Sequence, residues 1–494
     1  MALAKKSKRT PGALARAREV SRRLLPKAAT GIQGLDEITG GGLPRGRPTL
    51  VCGGAGCGKT VLAVEFLVRG ALQFQERGVL LSFEETGDDL AQNVSSMGFD
   101  LKALVARKHL VVEHVRVDRN EIAETGDFDL EGLFIRLGTA IDSIGAKRVV
   151  LDTPEALFGG FTNIAILRAE LRRLFDWLKE KEVTAVITGE RGDGTLTRHG
   201  LEEYVSDCVI LLDHRVVNQL TARRLRIVKY RGSVHGTDEY PFLIDTDGIS
   251  VLPITSLGLR HTASAEIISS GVPALDQALG PRGFFRASTI LVSGSAGTGK
   301  SSFAGHLVAA GARRGERCLY VTLEQSPSEV VRNMRSVGVQ LSPHVAGDLV
   351  RFHASRPTAH GLELHLTILH KLVASYRPRV VIIDSITSLL AIGSLAEVTS
   401  MMTRLVDFLK MDQITLCMTV LDETGDAAEA TGVNISSIVD SWVLLRNDEI
   451  DGERVRMLSI VKSRGMAHSS KTHEFQISDQ GIEFKDRSGE HCTA

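Results

Sequence analysis

The 494-residue sequence carries no net charge, since 59 Lys and Arg balance 59 Asp and Glu. Nucleic-acid binding rests on phosphate neutralisation, so a balanced chain with no basic, Gly-rich loop in either core argues against it. Cysteine is scarce: six residues (52, 57, 208, 318, 417 and 492), none in a C-x-x-C pair. That excludes a disulfide frame and a cysteine zinc site, and predicts reduced thiols in a cytoplasmic protein. No apolar run approaches the ~20 residues that span a bilayer. The N-terminus lacks the apolar segment of a secretory signal. At 43% apolar residues the composition is that of an ordinary globular protein, and the length calls for two or three domains.

What the chain does have is a phosphate-binding loop, twice. Gly53, Gly54, Ala55, Gly56, Cys57, Gly58, Lys59 and Thr60 fit G-x-x-x-x-G-K-[ST], as do Gly294, Ser295, Ala296, Gly297, Thr298, Gly299, Lys300 and Ser301. In such a loop glycines let backbone N–H groups curl around phosphate oxygens. The Lys meets the β/γ-phosphates, and the Thr or Ser hydroxyl ligates Mg²⁺. Each loop follows a β-prone run (Thr49–Cys52, Thr289–Val292) and precedes a helical one that opens at Val61 and Ser302. The helix N-terminus then faces the phosphates. Cys52 and Cys57 flank the first loop and read as buried packing rather than as redox sensors.

The loops belong to a longer repeat. Thr30–Asp36 matches Ser270–Asp276, Leu81–Glu85 matches Val321–Gln325, Val149–Asp152 matches Val381–Asp384, and Ile227–Gly232 matches Ile460–Gly465. The offset drifts only between 232 and 241. The reading is a basic, flexible arm over 1–29, a first domain over 30–252, a linker over 253–264, a second domain over 265–485 and a short tail over 486–494. The arm holds nine Lys/Arg against Glu19 alone, which fits a solvated segment and leaves contact with an acidic surface or nucleic acid open. Short β-branched strands alternate with amphipathic helices, so each domain is read as a mainly parallel α/β sheet covered on both faces. Gln73–Arg77, Leu167–Lys181 and Leu362–Ser375 read as surface helices. Active groups then gather at the carboxyl ends of the strands.

Several polar residues recur at such strand ends. Asp152 and Asp384 end apolar runs, where a carboxylate either supports a Mg²⁺ shell through water or caps the next helix. Glu84 and Glu85 end another strand, and one of them suits the role of base or orienter of a nucleophile. Their counterparts are Glu324 and Gln325. Gln accepts no proton, so Glu324 alone is left as base, and different chemistry is expected in the two halves. Lys229 and Arg231, like Lys462 and Arg464, alternate on a late strand and share a face. They read either as fingers reaching a neighbour's γ-phosphate or as charges guarding an edge strand.

These segments, with Gly41–Pro44 and Val205–Asp207, resemble the KaiC family of cyanobacterial clock ATPases and autokinases along nearly the whole chain. The resemblance implies two RecA-like domains, a double-ring homohexamer with ATP at subunit interfaces, hydrolysis in the first ring and autophosphorylation in the second. It places phosphoacceptors at Ser436 and Ser437, with Thr431 as a neighbouring third, and nucleotide contacts at Ser96, Arg223, Ser233, His235, Arg456 and His468. It also adds Glu324 to the Mg²⁺ set of Thr60, Asp152, Ser301 and Asp384. The first half has Glu203 and Tyr204 at the acceptor positions. Three departures stand out: Gln325 for an acid, Val337 for an aromatic against adenine, and a chain that ends thirteen residues after Gly481. The last predicts no control by a KaiA-type activator, while KaiB-like or other signalling partners stay open. A hexameric ATPase scaffold without kinase activity and a RecA-type DNA motor are the competing readings.

Overall fold

Strands such as Arg148–Asp152 and Thr289–Gly294 are buried along almost their entire length, which only a sheet covered on both faces permits. The computed structural model describes residues 25–115, 131–155, 164–192, 196–197, 206–217, 220–253, 262–280, 282–421, 437–450 and 452–485. The chain divides into two compact units. The first closes at Val251 and the second opens at Leu252, except that 215–222 and 240–242 group with the second.

In the first domain nine strands form one sheet: β1 (Pro48–Gly53), β2 (Gly78–Ser82), β3 (Leu110–His114), β4 (Arg148–Asp152), β5 (Thr184–Glu190), β6 (Cys208–Val217), β7 (Leu220–Tyr230), β8 (Glu239–Asp245) and β9 (Gly248–Val251). Their spatial order is β9-β8-β7-β6-β1-β5-β4-β2-β3. The second domain repeats it with β10 (Thr289–Gly294), β11 (Cys318–Thr322), β12 (Val350–Ala354), β13 (Val380–Asp384), β14 (Thr415–Leu421), β15 (Ser441–Ile450), β16 (Glu453–Ser463), β17 (His473–Ser478) and β18 (Gly481–Lys485), in the order β18-β17-β16-β15-β10-β14-β13-β11-β12. The β10, β14, β13, β11 and β12 ladders are parallel, and β15 to β18 pair antiparallel. The fold is thus the duplicated, mainly parallel α/β architecture read from the sequence.

Helices α1 (Lys59–Gln73), α2 (Gly87–Ser95), α3 (Leu101–Ala106), α4 (Glu131–Ile144) and α5 (Ile164–Glu180) have counterparts in α6 (Lys300–Arg313), α7 (Pro327–Arg335), α8 (Ser342–Ala346), α9 (Leu362–Tyr376) and α10 (Leu395–Met411). Strand alternation decides which helix each residue meets. Leu319, Val321, Val381 and Ile383 join Leu366, Leu369, Met401 and Leu405 under α9 and α10. Ile290, Val292, Tyr320 and Ile382 join Phe303, Leu307 and Val308 of α6 on the other face.

The matched Asp at each entry is a local clamp. Asp36 accepts from Thr30 N, Thr30 Oγ1 and Gly31 N, and Asp276 from Ser270 N and Ser269 Oγ. The expected helix at Gln73–Arg77 is corrected: α1 ends at Gln73 and Gln75 turns left-handed at φ 56°. That turn frees Glu76 to meet Arg148 and Arg45. Within the arm, Lys27–Ala28 pair antiparallel with Leu43–Pro44; residues 1–24 lie outside the described set, as do most of the linker and the tail. The five described cysteines are buried, and none of them is in a disulfide.

Candidate functional site

Helices α2, α3, α7 and α10 begin on side-chain caps. The two phosphate-loop helices begin instead on left-handed Gly58 (φ 105°) and Gly299 (φ 103°), with no side-chain cap. Their first-turn N–H groups therefore point toward the loop. A Cβ on Gly53 would lie 2.4 Å from the Leu212 carbonyl oxygen, and one on Gly294 2.3 Å from that of Leu445. Only glycine lets each loop seat against its neighbouring strand. On the inner side a Cβ at Gly54, Gly56 or Gly297 would meet nothing within 4 Å, which is the open cradle a polyphosphate needs. Lys59 Nζ donates to the carbonyls of Gly53 and Gly54 at 3.0 Å, and Lys300 Nζ to those of Gly294 and Ser295 at 2.8 Å. Each ammonium lies across its loop. Cys57 is buried and its thiol is pushed up by burial, so it is packing; Thr298 takes its place and donates to Ser295 O at 2.9 Å. Ala55 and Ala296 are exposed at the loop tips, and Thr60, Val61, Ser301 and Ser302 sit half-buried on the first helical turns.

Asp152 and Asp384 are not helix caps. Thr188 Oγ1 donates to Asp152 Oδ1 at 2.5 Å, and Thr419 Oγ1 donates to Asp384 Oδ1. Asp384 Oδ2 also accepts from the buried Tyr320 hydroxyl at 2.8 Å. Burial, then the adjacent carboxylate, hold the Tyr320 phenol well above its ordinary pKa, so it stays a donor. A carboxylate oxygen has two lone pairs, so both Asp residues retain room for a water-mediated Mg²⁺ shell. Among the described residues no group of three or more His, Cys, Asp or Glu could hold a metal. A hydroxyl and a carboxylate per half fit a Mg²⁺ that the phosphates help to hold.

Glu84 and Glu324 are exposed at the ends of β2 and β11. Glu324 Oε1 accepts from Ser388 Oγ at 2.5 Å. Glu85 turns the other way: its Oε2 accepts from Asn93 Nδ2 at 3.0 Å, while the Ser82 hydroxyl brackets its backbone. Gln325 keeps the same arrangement with Asn333 Nδ2 at 3.3 Å and Thr322.

Two details of the finger reading are corrected. Strands β7 and β16 lie inside the sheet order and guard no edge. They end at Tyr230 and Ser463, so Lys229 and Lys462 are on the strands but Arg231 and Arg464 lie in the turns beyond. Each Arg is 3.8 Å from an Asp, Arg231 from Asp207 and Arg464 from Asp440, and their side chains stay 54% and 50% exposed. Lys179 and Lys410 join the same Asp residues at 3.2 and 2.7 Å. Burial, then Arg464, lower the Lys462 pKa. Arg223 and Arg456, at equivalent positions of β7 and β16, each bury an Nε with no hydrogen-bond partner. Ser96 is exposed at the end of α2. Ser233 and His235 follow β7, with His235 stacked on Tyr230, and His468 lies after β16 near Ser469. Ser437 is exposed, and its carbonyl accepts from Arg464 Nη2 at 2.7 Å. Ser436 and Thr431 lie outside the described residues.

Sequence reasoning missed Asn93 and Asn333, Thr188 and Thr419, and the Asp207 and Asp440 hubs as members of the site. Their recurrence at matched positions was the available signal. Tyr320 and Ser388 left no such trace, because their counterparts are Leu80 and Ala156.

Two RecA-like phosphate-loop domains in tandem, each with carboxylates at its strand ends, define a duplicated ATPase. A family model described as "ATPase: KaiC" matches residues 28–256 and again 268–489. The chain is 53% identical over 462 residues to the circadian clock protein KaiC2 of Synechocystis sp., covering 93% of this chain and 81% of that one. It is 37% identical over 465 residues to the circadian clock oscillator protein KaiC of Parathermosynechococcus lividus (94% and 86%), and 35% identical to that of Synechococcus elongatus over 465 residues (94% and 89%). The chain belongs to the KaiC family. Among the described residues no helix is long and apolar enough to cross a membrane.

Proposed function

We propose that this KaiC-family ATPase hydrolyses ATP at its first phosphate loop and phosphorylates its own serines at its second, as a timing or signalling switch. In this reading Lys59 and Lys300 meet the phosphates, and Thr60 and Ser301 with Asp152 and Asp384 hold Mg²⁺. Glu84 orients or deprotonates water. Glu324 accepts the proton of an incoming Ser436 or Ser437 hydroxyl, with Thr431 as a third acceptor. Mg²⁺ held by these residues would supply charge neutralisation for the transferred phosphoryl group. Lys229, Arg231, Lys462 and Arg464 reach a neighbouring subunit's nucleotide in a homohexamer. Ser96, Arg223, Ser233, His235, Arg456 and His468 complete the nucleotide contacts, and KaiB-like partners read the phosphorylation state in the cytoplasm.

The observation that carries this reading is an asymmetry inside a repeat. Both halves have the open cradle and bridging Lys, while Arg464 of the second meets the carbonyl of Ser437, part of a Ser-Ser pair whose first-half counterparts are Glu203 and Tyr204. Hydroxyls beside a finger and a base are what a trans autokinase needs.

The test is incubation with Mg²⁺-ATP, phosphosite mapping and phosphate release, for wild type, Lys59→Ala and Lys300→Ala. We expect phosphoserine at 436 or 437 that falls more than 100-fold in Lys300→Ala, and hydrolysis lost mainly in Lys59→Ala. ATP turnover with no phosphoserine in wild type would leave an ATPase scaffold and overturn the kinase assignment.

A further inference from the structure

The second site contains two hydrogen bonds that the first cannot make. Tyr320 donates to Asp384 Oδ2 at 2.8 Å, and Leu80 occupies the matching place in β2. Ser388 donates to Glu324 Oε1 at 2.5 Å, and the matching residue is Ala156.

Both donors are firmly placed. Tyr320 is fully buried at the centre of β11, its ring 5.3 Å from that of Phe352. It shares the α6 face of the sheet with Ile382, and strand alternation puts Asp384 on that face as well. Ser388 sits in a short turn whose neighbours Ile386 and Leu389 are buried in the core. Thr387 Oγ1 accepts from Leu421 N at 2.8 Å and fastens that turn to β14.

We infer that Tyr320 and Ser388 are positioning residues of the second site, and that they fix its carboxylates in orientations the first site does not share. Ser388 holds Oε1 of Glu324, so Oε2 keeps both of its lone pairs to receive a proton from the acceptor hydroxyl. With Tyr320 and Thr419 each taking a lone pair, one from each oxygen, the plane of Asp384 is set before Mg²⁺ arrives. Orientation fixed in advance costs nothing during the reaction, and a hydrogen bond to a charged group is strong enough to shift a rate about tenfold. The inference rests on reading the second domain as an ATP site. It adds residues that the repeat could not supply.

The test uses the full-length chain and three variants, Ser388→Ala, Ser388→Thr and Tyr320→Phe, each removing or keeping one hydroxyl. Two quantities are read: Lys300-dependent turnover, as serine phosphorylation or as phosphate release, and binding of a fluorescent ATP analogue with and without Mg²⁺. The Lys300→Ala chain is subtracted in each. We expect Ser388→Ala to slow turnover about tenfold with analogue affinity unchanged, and Ser388→Thr to restore it. We expect Tyr320→Phe to weaken the Mg²⁺-dependent part of binding by about threefold while Mg²⁺-free affinity holds. Wild-type values in Ser388→Ala, failure of Thr to rescue, or equal loss of affinity with and without Mg²⁺ in Tyr320→Phe would overturn the assignment. If wild type shows no Lys300-dependent turnover, the functional reading falls and Ser388 with it. The Mg²⁺ titration of Tyr320→Phe still decides the other half.

Discussion

The two domains have the same strand order and the same loop, but they are anchored by different chemistry. At the start of β4 the first domain buries Arg148 completely. Its guanidinium donates to Glu76 Oε2 at 2.7 Å, Phe66 O at 2.8 Å and Ala29 O at 2.7 Å, and lies over the Phe66 ring at 4.4 Å. Gly70 makes room for it, since a Cβ there would lie 2.5 Å from the Arg148 side chain. The second domain puts Val380 at the same register position, fully buried against aliphatic neighbours. On the phosphate-loop helix, buried Glu65 accepts from Ile249 N at 2.7 Å, whereas His306 stands at the matching position against Gly481. Duplication has preserved the scaffold while the polar anchors diverged, so each half should fail under different stress.

The sharpest way to break that symmetry is Arg148→Ala. It removes a donor from the carbonyls of Phe66 and Ala29 and leaves Glu76 with Arg45 alone, a loss of about 3–5 kcal/mol. For a domain this size that lowers the first-domain Tm by roughly 10 °C. Hydrogen exchange should show faster opening of peptides from α1 with those of α6 unchanged. Arg148→Val, which copies the second domain, should fare little better, because the acceptors remain. Wild-type stability in either variant would mean that the buried network contributes nothing net.

Acid is the next probe, and it acts on the other half. Burial lowers the pKa of His306, His353, His365 and His370; Arg313 adds to the shift of His306, and neighbouring histidines to those of His353 and His365. His370, stacked on Phe408, falls to about 4 from 6.5. A histidine whose folded pKa is depressed gives stability that is complete above its unfolded pKa and is lost as pH falls toward the folded value. Between about pH 6.5 and 4 the second domain should therefore lose stability, with His370 alone contributing on the order of 3 kcal/mol at the limit. Glu37 and Glu65 of the first domain are shifted up by burial, so protonating them favours the fold. Hydrogen exchange at pH 7 and pH 5 should show α9 opening before α1. Equal loss in both domains would remove the histidines as the cause, and His370→Phe should flatten the second domain's response.

How much of this could be read in advance follows the same division. The loops, the strand-end Asp and Glu residues and the alternation that made a parallel sheet were legible, because each is local in sequence and occurs twice. Side-chain partners across strands were not. Tyr320 reads as one more β-prone residue until the register sets it beside Asp384, and Arg148 reads as an ordinary surface cation at a strand start. Arg231 looked like a strand residue because Lys-x-Arg spacing carries no signal for where a strand ends. The left-handed Gln75 that stops α1 likewise has no glycine to announce it.

The smallest expected effect concerns one of the departures read in the second half. Gln325 in place of an acid suggested altered chemistry, yet its side chain meets Asn333 just as Glu85 meets Asn93, and both backbones are bracketed by a hydroxyl. An amide donor serves a carboxylate and a carboxamide oxygen alike. Gln325→Glu should therefore change second-site turnover less than about threefold, within the range of one exposed hydrogen bond, and Glu85→Gln should do as little in the first. The measurement is the initial rate of serine phosphorylation at saturating Mg²⁺-ATP, with Glu324→Gln as the variant that should stop it. A tenfold rise in Gln325→Glu would mean that this side chain leaves Asn333 and reaches the reacting hydroxyl, and the difference between the halves would then lie in that one residue.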